Sequence, residues 1–197
     1  SVAPHTDRIE MRPIAIEDLL GRPQTPLDRD GMRAMIAGRR VAVTGAGGSI
    51  GSELARQISE FAPAQLVLIE QSEFNLYTIE AELQARAPDL CCPAVLADVR
   101  DRRSIGRLFA CYRPEIVFHA AALKHVPLVE ANAFEGMVTN VMGTVNVADA
   151  CLNAGTATMV LISTDKAINP TSIMGASKRI AERYCQALAM RRHNRGG

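Results

Sequence analysis

Neither sign of charge is in excess in this sequence: over 197 residues, 22 Lys and Arg face 21 Asp and Glu, a formal net charge of +1. That balance supplies no basic field to hold a nucleic acid or an anionic membrane surface, so neither is expected as a partner. Long apolar runs are missing as well. A membrane-spanning helix needs roughly 20 apolar residues in succession, and the best run, residues 116–123, is far shorter and contains His119. No charged-then-apolar leader opens the chain, and Ser1 in place of Met is what a trimmed chain would show. The five cysteines are odd in number, lack CxxC spacing and include the adjacent Cys91 and Cys92. Neither a disulfide framework nor a metal site is therefore implied, and a reducing cytoplasm fits best.

What is present is a composition of 48% hydrophobic and 22% charged residues, that of a globular domain with a core. Residues 1–39 hold four of the ten prolines, Pro4, Pro13, Pro23 and Pro26, and read as an extended N-terminal arm. A short apolar patch at 14–20, ending at Gly21, suits a helical turn or two. From Arg40 to Gly197 the pattern is one compact domain, in which short aliphatic runs alternate with stretches of helical period.

Strands are expected at 41–44, 66–70, 94–97, 116–119 and 159–163, each nearly all apolar, as strands covered on both faces should be. Between them Ile50, Leu54 and Ile58 recur every four residues. Leu76, Ile79 and Leu83, then Ile105, Leu108, Phe109 and Tyr112, follow the spacing of a helix with one buried stripe. Four intervening helices and a fifth over about 172–191, where Ile180, Ala181, Tyr184 and Leu188 share a face, predict an α/β fold. Right-handed crossovers make it a doubly wound parallel sheet in three αβα layers, a Rossmann fold.

The first strand runs into Thr44-Gly45-Ala46-Gly47-Gly48-Ser49-Ile50-Gly51 at the start of a helix. Absent side chains let such a backbone turn tightly and approach a pyrophosphate, which free amides and the helix dipole then hold. Glu70 stands nineteen residues beyond Gly51, at the end of the second strand. A carboxylate there accepts hydrogen bonds from the adenosine ribose and repels a 2′-phosphate, favouring NAD over NADP, unless Arg56 or Arg86 lies close enough to offset the repulsion. Asp98 and Val99 follow the third strand; Asp98 either meets an adenine edge or caps a helix. His119 reads as a packed or hydrogen-bonded histidine. Ala120, Ala121 and Ala122 are small enough for a cofactor to lie against the sheet, and Lys124 and His125 are either ligand-facing or a solvated loop pair.

The fifth strand ends in Ser163-Thr164-Asp165-Lys166, and eight residues later come Met174-Gly175-Ala176-Ser177-Lys178. Met174 and Lys178, four apart, share a helix face. Thr164 offers a hydroxyl, Asp165 a carboxylic acid, and Lys166 and Lys178 two ammonium groups. A buried, mutually repulsive setting would lower the lysine pKa values into a range useful for general base chemistry. Outside a cofactor frame, Asp165-Lys166 is an ordinary charged turn before Pro170.

Thr44-Gly45-x-x-Gly48-x-x-Gly51, Asp98-Val99, His119-Ala120-Ala121, Asn140 and Lys178 resemble the extended short-chain dehydrogenase/reductase superfamily. More narrowly, residues 11–22, 45–54, 120–130 and 163–179 are similar to bacterial nucleotide-sugar 4,6-dehydratases of polysaccharide biosynthesis. The resemblance covers nearly the whole chain from about Met11. It implies a lyase that converts UDP-N-acetylglucosamine, or a related UDP-N-acetylhexosamine, to a 4-keto-6-deoxy sugar for capsule or lipopolysaccharide. In that chemistry NAD takes hydride from sugar carbon 4, a proton leaves carbon 5, water leaves carbon 6, and the hydride returns there.

By matching positions, the resemblance makes Asp165 the acid for the departing hydroxyl and Lys166 the base at carbon 5. Lys178 holds the nicotinamide ribose and Thr164 the 4-hydroxyl. Met174 stands where most of the superfamily has a catalytic tyrosine, and the large membrane-anchored branch shares that methionine. That branch also implies membrane helices and another nucleotide-binding domain upstream, with the arm as a tether, and a downstream segment carrying the sugar-nucleotide site. It further implies a homo-oligomer when intact, at the cytoplasmic side of an inner membrane, and an inactive fragment here. Two other readings stand beside it. A nucleotide-sugar 4-epimerase or reductase would need no acid and base at carbons 5 and 6, so Asp165-Lys166 argues against it. Met174 is the best argument for a non-catalytic dinucleotide-binding module.

Overall fold

The computed structural model describes residues 28–193, so the helical turn expected at 14–20 lies outside the described residues. Five parallel strands form one sheet in the order β3-β2-β1-β4-β5: β1 is Arg40–Thr44, β2 Gln65–Glu70, β3 Ala94–Leu96, β4 Ile116–His119 and β5 Thr158–Leu161. The order steps outward from β1 in both directions, the doubly wound arrangement expected, and it leaves a crevice at the carboxyl ends of β1 and β4 where the winding reverses.

Alternate residues of the central strands feed two cores. Val41, Val43, Leu66 and Leu68 pack with α2 (Ser49–Ser59) and α3 (Glu73–Arg86). Ala42, Val67, Ile69 and Val117 pack with α4 (Arg102–Tyr112) and α7 (Gly143–Ala154). The layers are thus helix, sheet and helix. Phe109, 1% exposed in α4, is among the largest buried side chains; its truncation to Ala is expected to cost about 3–5 kcal/mol.

Several expectations are corrected. The edge strands β3 and β5 are only partly buried, because among the described residues one flank of each has no neighbouring strand. The strand expected at 159–163 begins at Thr158 and ends at Leu161, although Ile162 N still donates to His119 O. Ile50 is 48% exposed, while Ile58 is buried and Leu54 packs partly buried against the core as expected; Gly51 and Ala55 complete the buried stripe of α2. Within the expected extended arm, Arg29–Ile36 forms a helix, α1, capped by the Asp28 carboxylate on Gly31 N. Ile36 is 3% exposed and packs into the same core as Val41, so this part of the arm is built onto the domain.

The crossover from β4 to β5 is segmented. It runs through α5 (Val126–Ala131), α6 (Ala133–Met137), a π-helical turn Val138–Met142 and then α7. Pro127 opens α5, where its missing N–H does no harm, and Asn132 separates α5 from α6. The last helix, α8, is Ile173–His193, close to the expected 172–191, and packs against α5, α6 and the π turn.

Candidate active site

The glycine turn is shaped by contacts no side chain would survive. Gly45 has a left-handed φ of 67°, and a Cβ there would sit 2.6 Å from Ala121 N. A Cβ on Gly51 would lie 2.0 Å from Gly45 O, so the helix starts in direct contact with the turn. One on Gly47 would strike Asn75 at the head of α3. Gly48 precedes α2 without a capping side chain, so the first amides of the helix keep their positive end free for an anion.

A cavity of about 150 Å³ opens beside this turn. Gly45 and Gly48, then Ala120, Ala121 and Ala122, line it together with Glu70 and Val99. Gly47, Ser49, Ile50, Gly51 and Asp98 do not line it. Sequence reasoning missed Gln71, Asn75, Leu123 and Thr139, which do. Gln71 and Asn75 had one available signal, their place directly after the Glu70 strand end; Leu123 and Thr139 arrive through the tertiary fold alone.

Glu70 is 8% exposed and its carboxylate accepts three backbone N–H groups, from Gly47, Gln71 and Ser72. It therefore joins the glycine turn to the start of α3. Arg56 and Arg86 do not reach it: both engage Glu82, Arg56 through paired bonds of 2.8 and 3.0 Å. Asp98 does not cap α4, a task that Asp101 performs through Arg103 N and Ser104 N. Asp98 instead pairs with Arg100 at 2.7 Å, and the Arg100 guanidinium and amide hold its carboxyl below the usual range against the opposing effect of burial.

His119, expected to be a hydrogen-bonded core residue, is 1% exposed, with Thr44 Oγ1 on one ring nitrogen and Thr144 Oγ1 on the other. Lys124 and His125 are exposed. Asn140, in the π turn, accepts from Leu123 N and donates to Leu123 O and to Ser177 Oγ.

The two lysines among the catalytic candidates differ sharply. Lys178 is 5% exposed beside Met174, 3% exposed, on the inner face of α8. Its ammonium donates to Ile162 O at 2.6 Å, and burial pulls its pKa down from the ordinary lysine value, partly countered by Glu182. Lys166 is exposed, contrary to the buried setting expected for it, because it sits on the short 3-10 turn Asp165–Ala167 beyond β5. Its ammonium lies 3.4 Å from Asp165, whose side chain is 82% exposed. The Thr164 hydroxyl and then Lys166 hold the Asp165 carboxyl below its usual range, so in this state it is an anion. Ser163 anchors the loop to α8 through Glu182 at 2.6 Å. None of these catalytic candidates lines the cavity.

Among the described residues no cluster of His, Cys, Asp or Glu is arranged to hold a metal ion, and no helix is long and apolar enough to cross a membrane. Residues 41–196 match the family described as "Polysaccharide biosynthesis protein". The chain belongs to that family. It is 45% identical over 190 residues to the probable polysaccharide biosynthesis protein EpsC of Bacillus subtilis, covering 92% of this chain and 32% of that protein. It is 32% identical over 150 residues to a UDP-N-acetylglucosamine 4,6-dehydratase (inverting) of Campylobacter jejuni, covering 76% and 43%. The chain thus spans a third to under half of these relatives. Among solved structures, Pen from Bacillus thuringiensis aligns with a TM-score of 0.69 at 29% identity, over 76% of this chain and 46% of that one. A UDP-glucose-4-epimerase from Stenotrophomonas maltophila aligns at 0.67 and 22% identity, over 77% and 49%, a likeness of fold.

Proposed function

We propose that this chain is the NAD-binding portion of a nucleotide-sugar 4,6-dehydratase acting on a UDP-N-acetylhexosamine, UDP-N-acetylglucosamine first among them. The cavity suits a dinucleotide: Gly45 and Gly48 of the glycine turn line it, with no side chain between backbone and ligand, Glu70 lines it too, and the head of α2 is uncapped. Gly45, Gly48 and the first amides of α2 would hold the pyrophosphate, Glu70 the adenosine ribose, Val99 the adenine, and Ala120 to Ala122 the face of the cofactor. When bound, NAD supplies a reversible hydride acceptor for sugar carbon 4. A relative named for UDP-N-acetylglucosamine, and two structural neighbours named with bound NAD and UDP or a UDP-sugar, support this reading.

The observation that carries dehydration rather than simple epimerisation is the Asp165–Lys166 pair at the mouth of β5. Dehydration needs a base to take the carbon 5 proton and an acid to protonate the hydroxyl leaving carbon 6, and these adjacent groups are suited to the two tasks. Thr164 would orient the 4-hydroxyl, and Lys178 the nicotinamide ribose. On the exposed loop Asp165 rests as the carboxylate, the reverse of the form its task requires. Covering the loop with substrate removes water and favours the neutral acid, so this chain alone is expected to be inactive.

Relatives named UDP-glucose 4-epimerase, such as that of Rickettsia massiliae at 32% identity, favour the epimerase as a second reading. Incubating the intact protein with UDP-N-acetylglucosamine decides between them. Loss of one water from the sugar supports the dehydratase; a product of unchanged mass supports the epimerase and contradicts our proposal.

A further inference from the structure

The hydrogen positions around His119 can be assigned in full. The Thr144 hydroxyl lies 2.7 Å from Asn140 O, a group that only accepts, so its hydrogen points there. Toward His119 Nε2, at 3.1 Å, Thr144 can offer only a lone pair, and Nε2 must carry a hydrogen. The ring is fully enclosed, and burial, with the Lys178 ammonium as the facing charge, pushes its pKa down to about 3. It is therefore neutral, and Nδ1 accepts the Thr44 hydroxyl at 2.6 Å.

Beyond Thr144 the tie runs through Asn140 itself, whose main-chain oxygen takes the Thr144 hydrogen and whose side chain makes a second set of bonds. Asn140 saturates its side chain on Leu123 and Ser177, and Ser177 passes its own hydrogen to Met174 O at 2.7 Å. One end of this series is Thr44, adjacent to Gly45 of the phosphate-binding turn. The other is the stretch of α8 that holds Met174 and Lys178. The two runs of bonds meet on the one residue Asn140, so together they hold the glycine turn and this stretch of α8 in one relation.

We propose that His119 is a positioning residue which, locked as the Nε2–H tautomer, sets the glycine turn and the Lys178 segment of α8 in register. Its consequence for cofactor binding rests on the dinucleotide reading above; the bond directions do not. His119 is buried and does not line the cavity.

Nitrogen NMR of the 197-residue chain reads the tautomer directly. We expect a neutral Nε2–H ring that does not titrate between about pH 5 and 8; an imidazolium or an Nδ1–H ring overturns the proposal. Thr144→Val keeps the shape and removes the hydroxyl. It is expected to move the Gly45 amide resonance and to weaken NAD binding about fivefold, the effect of one buried hydrogen bond. An unmoved Gly45 amide overturns the proposal, as does unchanged NAD affinity in a variant that merely melts lower. If the unmodified chain binds no NAD, the dinucleotide reading fails, while the tautomer and the Gly45 shift still decide the role of His119.

Discussion

The ammonium of Lys178 donates to the carbonyl of Ile162 at 2.6 Å, so a side chain 5% exposed ties α8 to the end of β5. Burial lowers its pKa below the ordinary lysine value of 10.5. Between the lowered folded value and the unfolded one, the unfolded chain binds more protons, so stability rises with pH across that window. Below it, the penalty of burying the charge is present in full. Lys178→Met keeps the stem and removes the charge. It is expected to raise stability at neutral pH by about 1 kcal/mol and to flatten the alkaline rise. In the intact protein it should lower turnover by about a hundredfold or more. Thermal melts at neutral and alkaline pH and steady-state kinetics check the two halves.

Glycines separate the turn from ordinary helix. Gly51→Ala places a methyl 2.0 Å from Gly45 O and is expected to destabilise by about 3 kcal/mol or more, with loss of NAD binding. Gly106, in α4, has open space around its Cβ position, and Gly106→Ala should stabilise by about 0.5–1 kcal/mol. Urea unfolding of both variants tests the contrast.

Much of this was readable from the residues. The central strands are continuous aliphatic runs, because helices cover them on both faces, and their boundaries emerged to within a residue or two. The glycine turn and Glu70 were readable because backbone geometry demands those residue types there. The first turn of α2 was not: Gly51 and Ala55 carry little apolar signal where the stripe meets the sheet, and the larger Ile50 beside them faces out, whereas Leu54 and Ile58 face the core as read. Lys166 was expected to be buried like Lys178, but local spacing does not report that one sits on a helix face and the other on an exposed turn. Thr139 and Leu123 carry no local signal, since only the folded crossover brings them to the cavity.

Glu70 collects three backbone N–H groups at the junction of β2, the glycine turn and α3. Glu70→Ala leaves those donors unpaired and removes the repulsion of a 2′-phosphate. NAD affinity is expected to fall about tenfold and the preference for NAD over NADP to narrow. Dissociation constants for both cofactors on both proteins measure it; an unchanged preference would remove Glu70 from cofactor selection.

Met174 stands four residues before Lys178 and is 3% exposed, and a thioether transfers no proton. Met174→Leu conserves its volume and should cost under about 1.5 kcal/mol. Turnover of the intact protein is expected to stay within a few-fold. A collapse of turnover in a well-folded variant would give the sulfur a chemical part that we do not assign.

The account turns on whether the hollow between the glycine bend and the three alanines takes a dinucleotide. Calorimetric titration of the 197-residue chain with NAD and, separately, NADP asks this without needing a sugar substrate. Saturable one-to-one heat with NAD, and at least about tenfold weaker binding of NADP, is the predicted result. Absence of saturable heat with either, from a chain whose far-ultraviolet spectrum shows it folded, would contradict it.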